Sequence, residues 1–188
     1  MSRQAGVNPG GIRGAGLIEV AISLLLISVG TLGLAGLQLS AKRMGYEAVQ
    51  RSAAATMAVD LLERMRANRG ALESYRVAGL GAAAGGRLPD PLTACDLLPC
   101  SPVQRAFFDL WEWERALNGE LTSASTGGLV QPLACVAIEG RRVLVEINWL
   151  GREDPDYPVA GRNCGAADQL PDGGGRQRLR MSSWVAEH

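Results

Sequence analysis

Histidine is almost missing from this 188-residue chain: the one residue of that type is His188, at its far end. Zinc sites built on imidazole pairs and nucleophiles activated by a neighbouring histidine are therefore not expected. Charge of one sign is missing too. The 19 basic residues, of which only Lys42 is a lysine, balance 19 acidic ones to a formal net charge of zero. Such a balance gives no electrostatic reason to expect nucleic acid or an anionic surface as the main partner. Glycine is plentiful, with 24 residues, yet none of its runs forms GxGxxG or precedes Gly-Lys-Ser/Thr. A phosphate cradle is excluded on that ground, and no cofactor is expected. The carboxylates Glu153, Asp154 and Asp156 sit in a proline-bearing loop without a recognisable ligand spacing for calcium, so no metal site is assigned. No residue is a candidate for catalysis.

The hydrophobic residues are unevenly spread. From residue 15 to 39 the sole ionisable group is Glu19, and residues 20–37 carry no charge at all. A helix of about 20 residues spans a ~30 Å hydrocarbon core, so this stretch is long enough to cross a membrane. It is a poor ordinary secretory signal, because such signals have an apolar core of ~7–15 residues and a small-x-small cut site. Residues 38–42 supply no good site of that kind. Glu19 also needs a reason, since a carboxylate at the bilayer centre costs ~2–3 kcal/mol on insertion scales.

A short leader with Arg3 and Arg13 precedes Gly14-Ala15-Gly16-Leu17-Ile18-Glu19-Val20. This arrangement resembles the processing site of type IV prepilins and type II secretion pseudopilins. The resemblance implies a cut after Gly14, a mature chain that starts at Ala15 and is methylated there, and an assembly role for Glu19, its fifth residue. Ala15 stands where the family usually has Phe, and Gly16 where it has Thr or Ser, departures that bear on methylation rather than cleavage. Ser28-Val29-Gly30-Thr31-Leu32-Gly33-Leu34-Ala35-Gly36-Leu37-Gln38 and Ala58-Val59-Asp60-Leu61-Leu62-Glu63-Arg64-Met65-Arg66-Ala67-Asn68 are similar to the minor pilins of the PilV subgroup. The likeness covers roughly residues 11–69.

Beyond residue 42 the apolar positions Met44, Val49, Met57, Leu61, Leu62 and Met65, with alanines at 53–55 and 58, recur at near-helical spacing. The spacing predicts one helix from 15 to 68, about 80 Å long at ~1.5 Å per residue, ending at Asn68-Arg69-Gly70. Gly30, Gly33 and Gly36 are either close-packing positions or points where the helix loosens, each costing ~1 kcal/mol against alanine. Residues 70–100, rich in Gly, Ala and Pro, read as a long surface loop. Ser101-Pro102 then caps a helix to about Asn118, with Val103, Phe107, Leu110, Trp111, Glu114 and Leu117 as its apolar trace. Trp111 and Trp113 are expected in packing rather than in a binding patch.

Residues 133–138 and 142–150 read as strands joined by Glu139-Gly140-Arg141, with Val143, Val145, Ile147 and Trp149 on one face. A Pro-, Asp- and Gly-rich loop over 152–176 precedes a last strand over 177–186. The expected fold is α+β and pilin-like: a long N-terminal helix packed on a small antiparallel sheet of three or four strands. The boundaries follow as a cleaved leader at 1–14, a membrane or filament-core helix at 15–40, its amphipathic continuation at 41–69, and a globular head at 70–188.

Cys95, Cys100, Cys135 and Cys164 all follow the apolar segment, in a part of the chain that would face an oxidising compartment. Four cysteines allow three pairings, of which Cys95–Cys100 with Cys135–Cys164 is favoured. The expected protein is a non-catalytic minor pilin that helps initiate or stabilise a type IV pilus. Its alternatives are a type II secretion pseudopilin and a membrane-anchored periplasmic binding or enzyme domain. The resemblance implies as partners other major and minor pilins, the prepilin peptidase and the inner-membrane assembly platform. It places the chain in the inner membrane with a periplasmic head, and on the pilus after assembly.

Overall fold

The computed structural model describes residues 15–120, 128–151 and 175–186. Gly14, Glu153, Asp154, Asp156, Cys164 and His188 lie outside them. Contacts divide the chain into two compact units, residues 1–45 and 46–188. Helix α1, Ala15–Ala67, is one uninterrupted helix of 53 residues that contributes to both. It contains no proline, and its glycines, those at 30, 33 and 36 among them, do not break it. In the single chain α1 stays helical through Gly36, because one glycine costs only ~1 kcal/mol against the hydrogen bonds of a long apolar helix.

The second unit carries the sheet. Strands β1 (Val77–Leu80), β2 (Leu133–Glu139), β3 (Arg142–Leu150) and β4 (Arg176–Trp184) lie in sequence order and pair antiparallel throughout. β2 and β3 form the predicted hairpin, with Gly140 at φ 61° in its turn, a backbone region that favours glycine. Register places Ala134, Val136 and Ile138 opposite Ile147, Val145 and Val143. These six side chains line one face and join a single core with Ala54, Ala58, Leu61, Leu62 and Met65 of α1. The long helix and small antiparallel sheet make a mixed α+β architecture of the pilin type.

Helix α2, Pro102–Leu117, starts where the sequence places it, and Ser101 forms a capping box with Gln104. Its buried stripe differs from the expected one. Ala106, Leu110, Trp113 and Leu117 enter the core, with Glu114 buried beside them, whereas Val103 is 61% exposed. Leucines and aromatics occur all round this helix, so hydrophobicity alone did not fix which face turns inward. Trp113 settles it, since its indole N–H reaches the Met57 carbonyl of α1 at 2.9 Å.

Two further corrections concern loops and polarity. Residues 70–100 are not one long loop: a 3-10 helix at Arg69–Tyr75, strand β1 and a 3-10 turn at Ala82–Ala84 occupy the first half. β1 was hidden because Val77-Ala-Gly-Leu80 has too few apolar residues to show a period of two. It turns sharply at Gly81, where φ is 101° and a Cβ would lie 2.6 Å from the Pro132 carbonyl oxygen. On β3, Glu146 and Asn148 are buried although alternation gave them to a wetter face. Pairing makes this tolerable: the Arg180 guanidinium and the Asn148 amide both donate to Glu146, at 2.5 and 3.2 Å.

Leu61 is fully buried, whereas Leu32 is 74% exposed. Leu61→Ala is expected to cost the head ~2–5 kcal/mol, and Leu32→Ala to leave it unchanged. Denaturant unfolding of the detergent-solubilised chain, followed by the fluorescence of buried Trp113 and Trp149, measures both.

Candidate assembly surface

The first unit presents an exposed apolar surface. Within Gly16–Ala67 an 18-residue window has a mean hydropathy of 2.2 and none of its residues is buried, so the helix is long and apolar enough to cross a membrane. Ala15, the expected first residue of the mature chain, begins α1. Glu19 lies in the second turn and is exposed, between Ile18 and Val20, which are 63% and 57% exposed. The Ser28 and Thr31 hydroxyls donate back to the carbonyls of Leu24 and Ser28 at 2.6 and 3.0 Å, which lowers their cost in an apolar medium. Where a Cβ would stand on Gly30, Gly33 and Gly36 there is open space. No described residue uses these three positions for close packing, so they are open to another helix.

The second unit holds the C-terminal part of α1 through a polar cluster that composition did not reveal. Arg64 pairs with Asp60 one turn earlier at 2.9 Å, and with Asp109 and Glu112 of α2 at 3.4 and 2.6 Å. The Tyr75 hydroxyl donates to the buried Asp109 carboxylate at 2.5 Å. Asn68 donates to Tyr75 and, at 2.7 Å, to the Pro102 carbonyl. Burial works against the Arg64 charge, but Glu112, Asp60 and Asp109 outweigh it and raise its pKa. Tyr75 is also pushed above its ordinary value, first by burial and then by its bond to the carboxylate. The Asp60–Arg64 pair is local to one helix face; the α2 partners arrive through the fold.

Glu114 does a second positioning task. Its two carboxylate oxygens accept from the backbone N–H groups of Gly81 and Leu88 at 3.2 and 2.8 Å, and Asn118 accepts from Ala82 at 2.9 Å. These bonds fasten residues 81–88 to α2. Cys95 and Cys100 are joined by a disulfide that closes the loop before α2. Cys135, on β2, is also disulfide-bonded, while Cys164 lies outside the described residues. Trp113 is in the core and Trp111 is half-buried beneath the Arg115 guanidinium, 4.7 Å from its ring centre. Among the described residues no group of His, Cys, Asp and Glu is placed to hold a metal ion.

Residues 36–111, about two-fifths of the chain, match the model of the Tt1218-like family, described as type IV pilin Tt1218. The matched segment contains the end of the apolar run, all of the Arg64 cluster but Glu112, and most of α2. No curated protein and no solved structure matches the chain. The family match supports a type IV pilin-like protein, a subunit class that assembles with other pilins and is structural rather than catalytic.

Tyr75 offers a test of the cluster. Its raised pKa means that the folded state favours the protonated phenol. The corresponding stabilisation is complete below pH ~10, the unfolded value, and is lost as pH rises above it. Tyr75→Phe is expected to lose ~1–3 kcal/mol near neutral pH, since Asp109 keeps its burial and loses a donor. It should also flatten the decline of stability above pH 10, as measured by unfolding across pH 8–12.

Proposed function

We propose that this chain is a minor pilin of a type IV pilus, made with a leader that is removed after Gly14, and that it helps start or stabilise the filament. The observation that carries the proposal is one continuous helix with two kinds of surface. In residues 16–41 it is exposed and apolar with one carboxylate; in its last four turns it is buried on one face in a small head. A membrane anchor alone needs no carboxylate in its apolar part. A subunit that must exchange lipid for neighbouring helices has a use for one.

The cut at Gly14 exposes an amine at Ala15. A Glu19 carboxylate on one subunit that meets the amine of another replaces two poorly solvated charges by a pair. Burying each ion costs several kcal/mol, so the pair fixes stagger more than it adds stability. Glycine before the cut suits a peptidase that must bring a backbone close in a confined site. In this reading the prepilin peptidase and the inner-membrane assembly platform handle the chain before other pilins do, and the head faces the periplasm until the subunit enters the pilus.

Two variants separate processing from assembly. Gly14→Glu is expected to leave the leader attached, so that intact mass starts at Met1 or Ser2 instead of Ala15. Glu19→Ala is expected to be cut normally and to keep head stability, yet to be recovered in sheared pili at about a tenth of the wild-type level or less, a loss of ~1.4 kcal/mol or more in assembly. Wild-type recovery of Glu19→Ala would refute the pairing. Deleting the gene and scoring piliation and protein secretion separately distinguishes a pilus subunit from a secretion pseudopilin.

A further inference from the structure

Among the described strands β4 ends the sheet on one side, and its register against β3 runs without interruption from Trp184, opposite Arg142, to Arg176, opposite Leu150. Two backbone bonds bracket that ladder. Gly151 N–H donates to the Gly175 carbonyl and Val185 N–H to the Arg141 carbonyl, at 2.5 and 3.0 Å. Bonded and non-bonded pairs alternate along an antiparallel ladder, so residues 177, 179, 181 and 183 turn their backbone toward β3, and residues 176, 178, 180, 182 and 184 turn theirs outward. No described backbone group meets those of Arg176, Arg178, Ser182 or Trp184 on the outer side. The same set carries its side chains on the face away from the core, because Val143, Val145, Ile147 and Trp149, which enter the core, pair with the other set.

Two of these outward-facing arginines lack an anion among the described residues. Arg180 is paired with Glu146 at 2.5 Å. Arg176 donates from Nη2 to the Gln131 carbonyl at 2.7 Å, but its Nε is buried without a hydrogen-bond partner, and so is Nη1 of Arg178. Burial pushes the Arg176 guanidinium below its ordinary pKa, and nothing charged offsets it. A guanidinium that has lost water and gained no carboxylate is costly until an anion arrives. Two positions apart on one strand, the arginines stand ~7 Å from each other, the spacing at which a second strand repeats side chains on one face. At the far end of the same row Trp184 is 71% exposed, an aromatic ring open to a cross-strand neighbour.

We propose that the outer edge of β4 takes up an extended acidic segment of another protein as an added strand, with carboxylates at alternate positions facing Arg176 and Arg178 and an apolar residue facing Trp184. The outward N–H and C=O groups supply the affinity of such strand addition, and the side-chain row supplies its specificity. A single anion such as phosphate would satisfy a guanidinium but leave the backbone edge and Trp184 unused. The antiparallel direction is assigned because its pairing is the more stable per residue. The contact forms whether or not the chain enters a pilus.

The test uses the full chain in detergent and a fluorescein-labelled synthetic peptide as long as β4. The peptide has valine at its first position, glutamate at its seventh and ninth, and serine or threonine elsewhere, so that antiparallel alignment sets the first opposite Trp184 and the ninth opposite Arg176. Fluorescence anisotropy is expected to show saturable binding with a Kd below ~1 mM. Backbone N-methylation at the third and seventh positions, whose N–H groups would face β4, should abolish binding, whereas N-methylation at the fourth and eighth should change Kd less than about two-fold. Arg178→Glu should weaken binding about ten-fold, and a peptide with lysine at the seventh position should recover it on that variant, which also shows the variant to be folded. The wild-type arms decide by themselves. No saturable binding, or equal loss from the two N-methylated peptides, would overturn the proposal, and so would equal binding of a peptide that copies residues 176–184.

Discussion

The head depends on one face of a helix being small where it must approach the sheet and large where it must fill space. Ala54 and Ala58 are completely buried, and Leu61, Leu62 and Met65 follow on the same stripe. Alanine in the first positions admits the backbone of α1 close to its neighbours, and the longer residues then occupy the volume near α2 and β2. A larger side chain at Ala58 would have to displace its surroundings, and overpacking of this kind typically costs ~1–3 kcal/mol. The Trp113 indole bond to the Met57 carbonyl and the Arg64 cluster act on this same stretch. They add direction to a contact whose driving force is burial.

Polar groups in the interior have a consistent use here: each ties another segment to the element that carries the carboxylate. Asp109 receives Tyr75 from the 3-10 helix, Glu114 receives Gly81 and Leu88 from the loop, and Glu146 receives Arg180 from the last strand. A lone buried carboxylate would be expensive, but the donors that reach each of these make them tolerable and fix the segments they come from. The connection between α1 and α2 is therefore ordered in spite of its glycines and prolines. An apolar recess lined by Pro89, Pro91, Leu92, Val103 and Phe107 lies beside that ordered connection.

How far the sequence discloses this arrangement depends on whether the signal is periodic. The 53-residue helix, the β2–β3 hairpin and the Ser101 cap were legible because an uncharged run, an alternation and a Ser-Pro start are each local patterns. β1 was not legible, since four residues with a glycine among them carry no period and β2 recruits them. The inward face of α2 was misread because it was chosen by hydrophobicity, while Trp113 was chosen by a hydrogen bond to a carbonyl 56 residues earlier. Of the site residues, Cys95 and Cys100 were close in sequence and are bonded. Tyr75, Asp109 and Glu112 had no signal at all, because single polar residues reveal a cluster only after the chain has folded.

Among the described strands β1 and β4 are the outer two, and they differ in how they would meet another sheet. β1 is four residues long with an irregular register against β2, too short to serve as a template. β4 is nine residues long but alternates Arg176, Arg178 and Arg180 along its first half, and a like strand laid beside it would bring guanidinium groups together. Edges of this kind resist pairing with their own kind. Heads carried at high local concentration along a fibre can then stand side by side without merging their sheets into a cross-β aggregate.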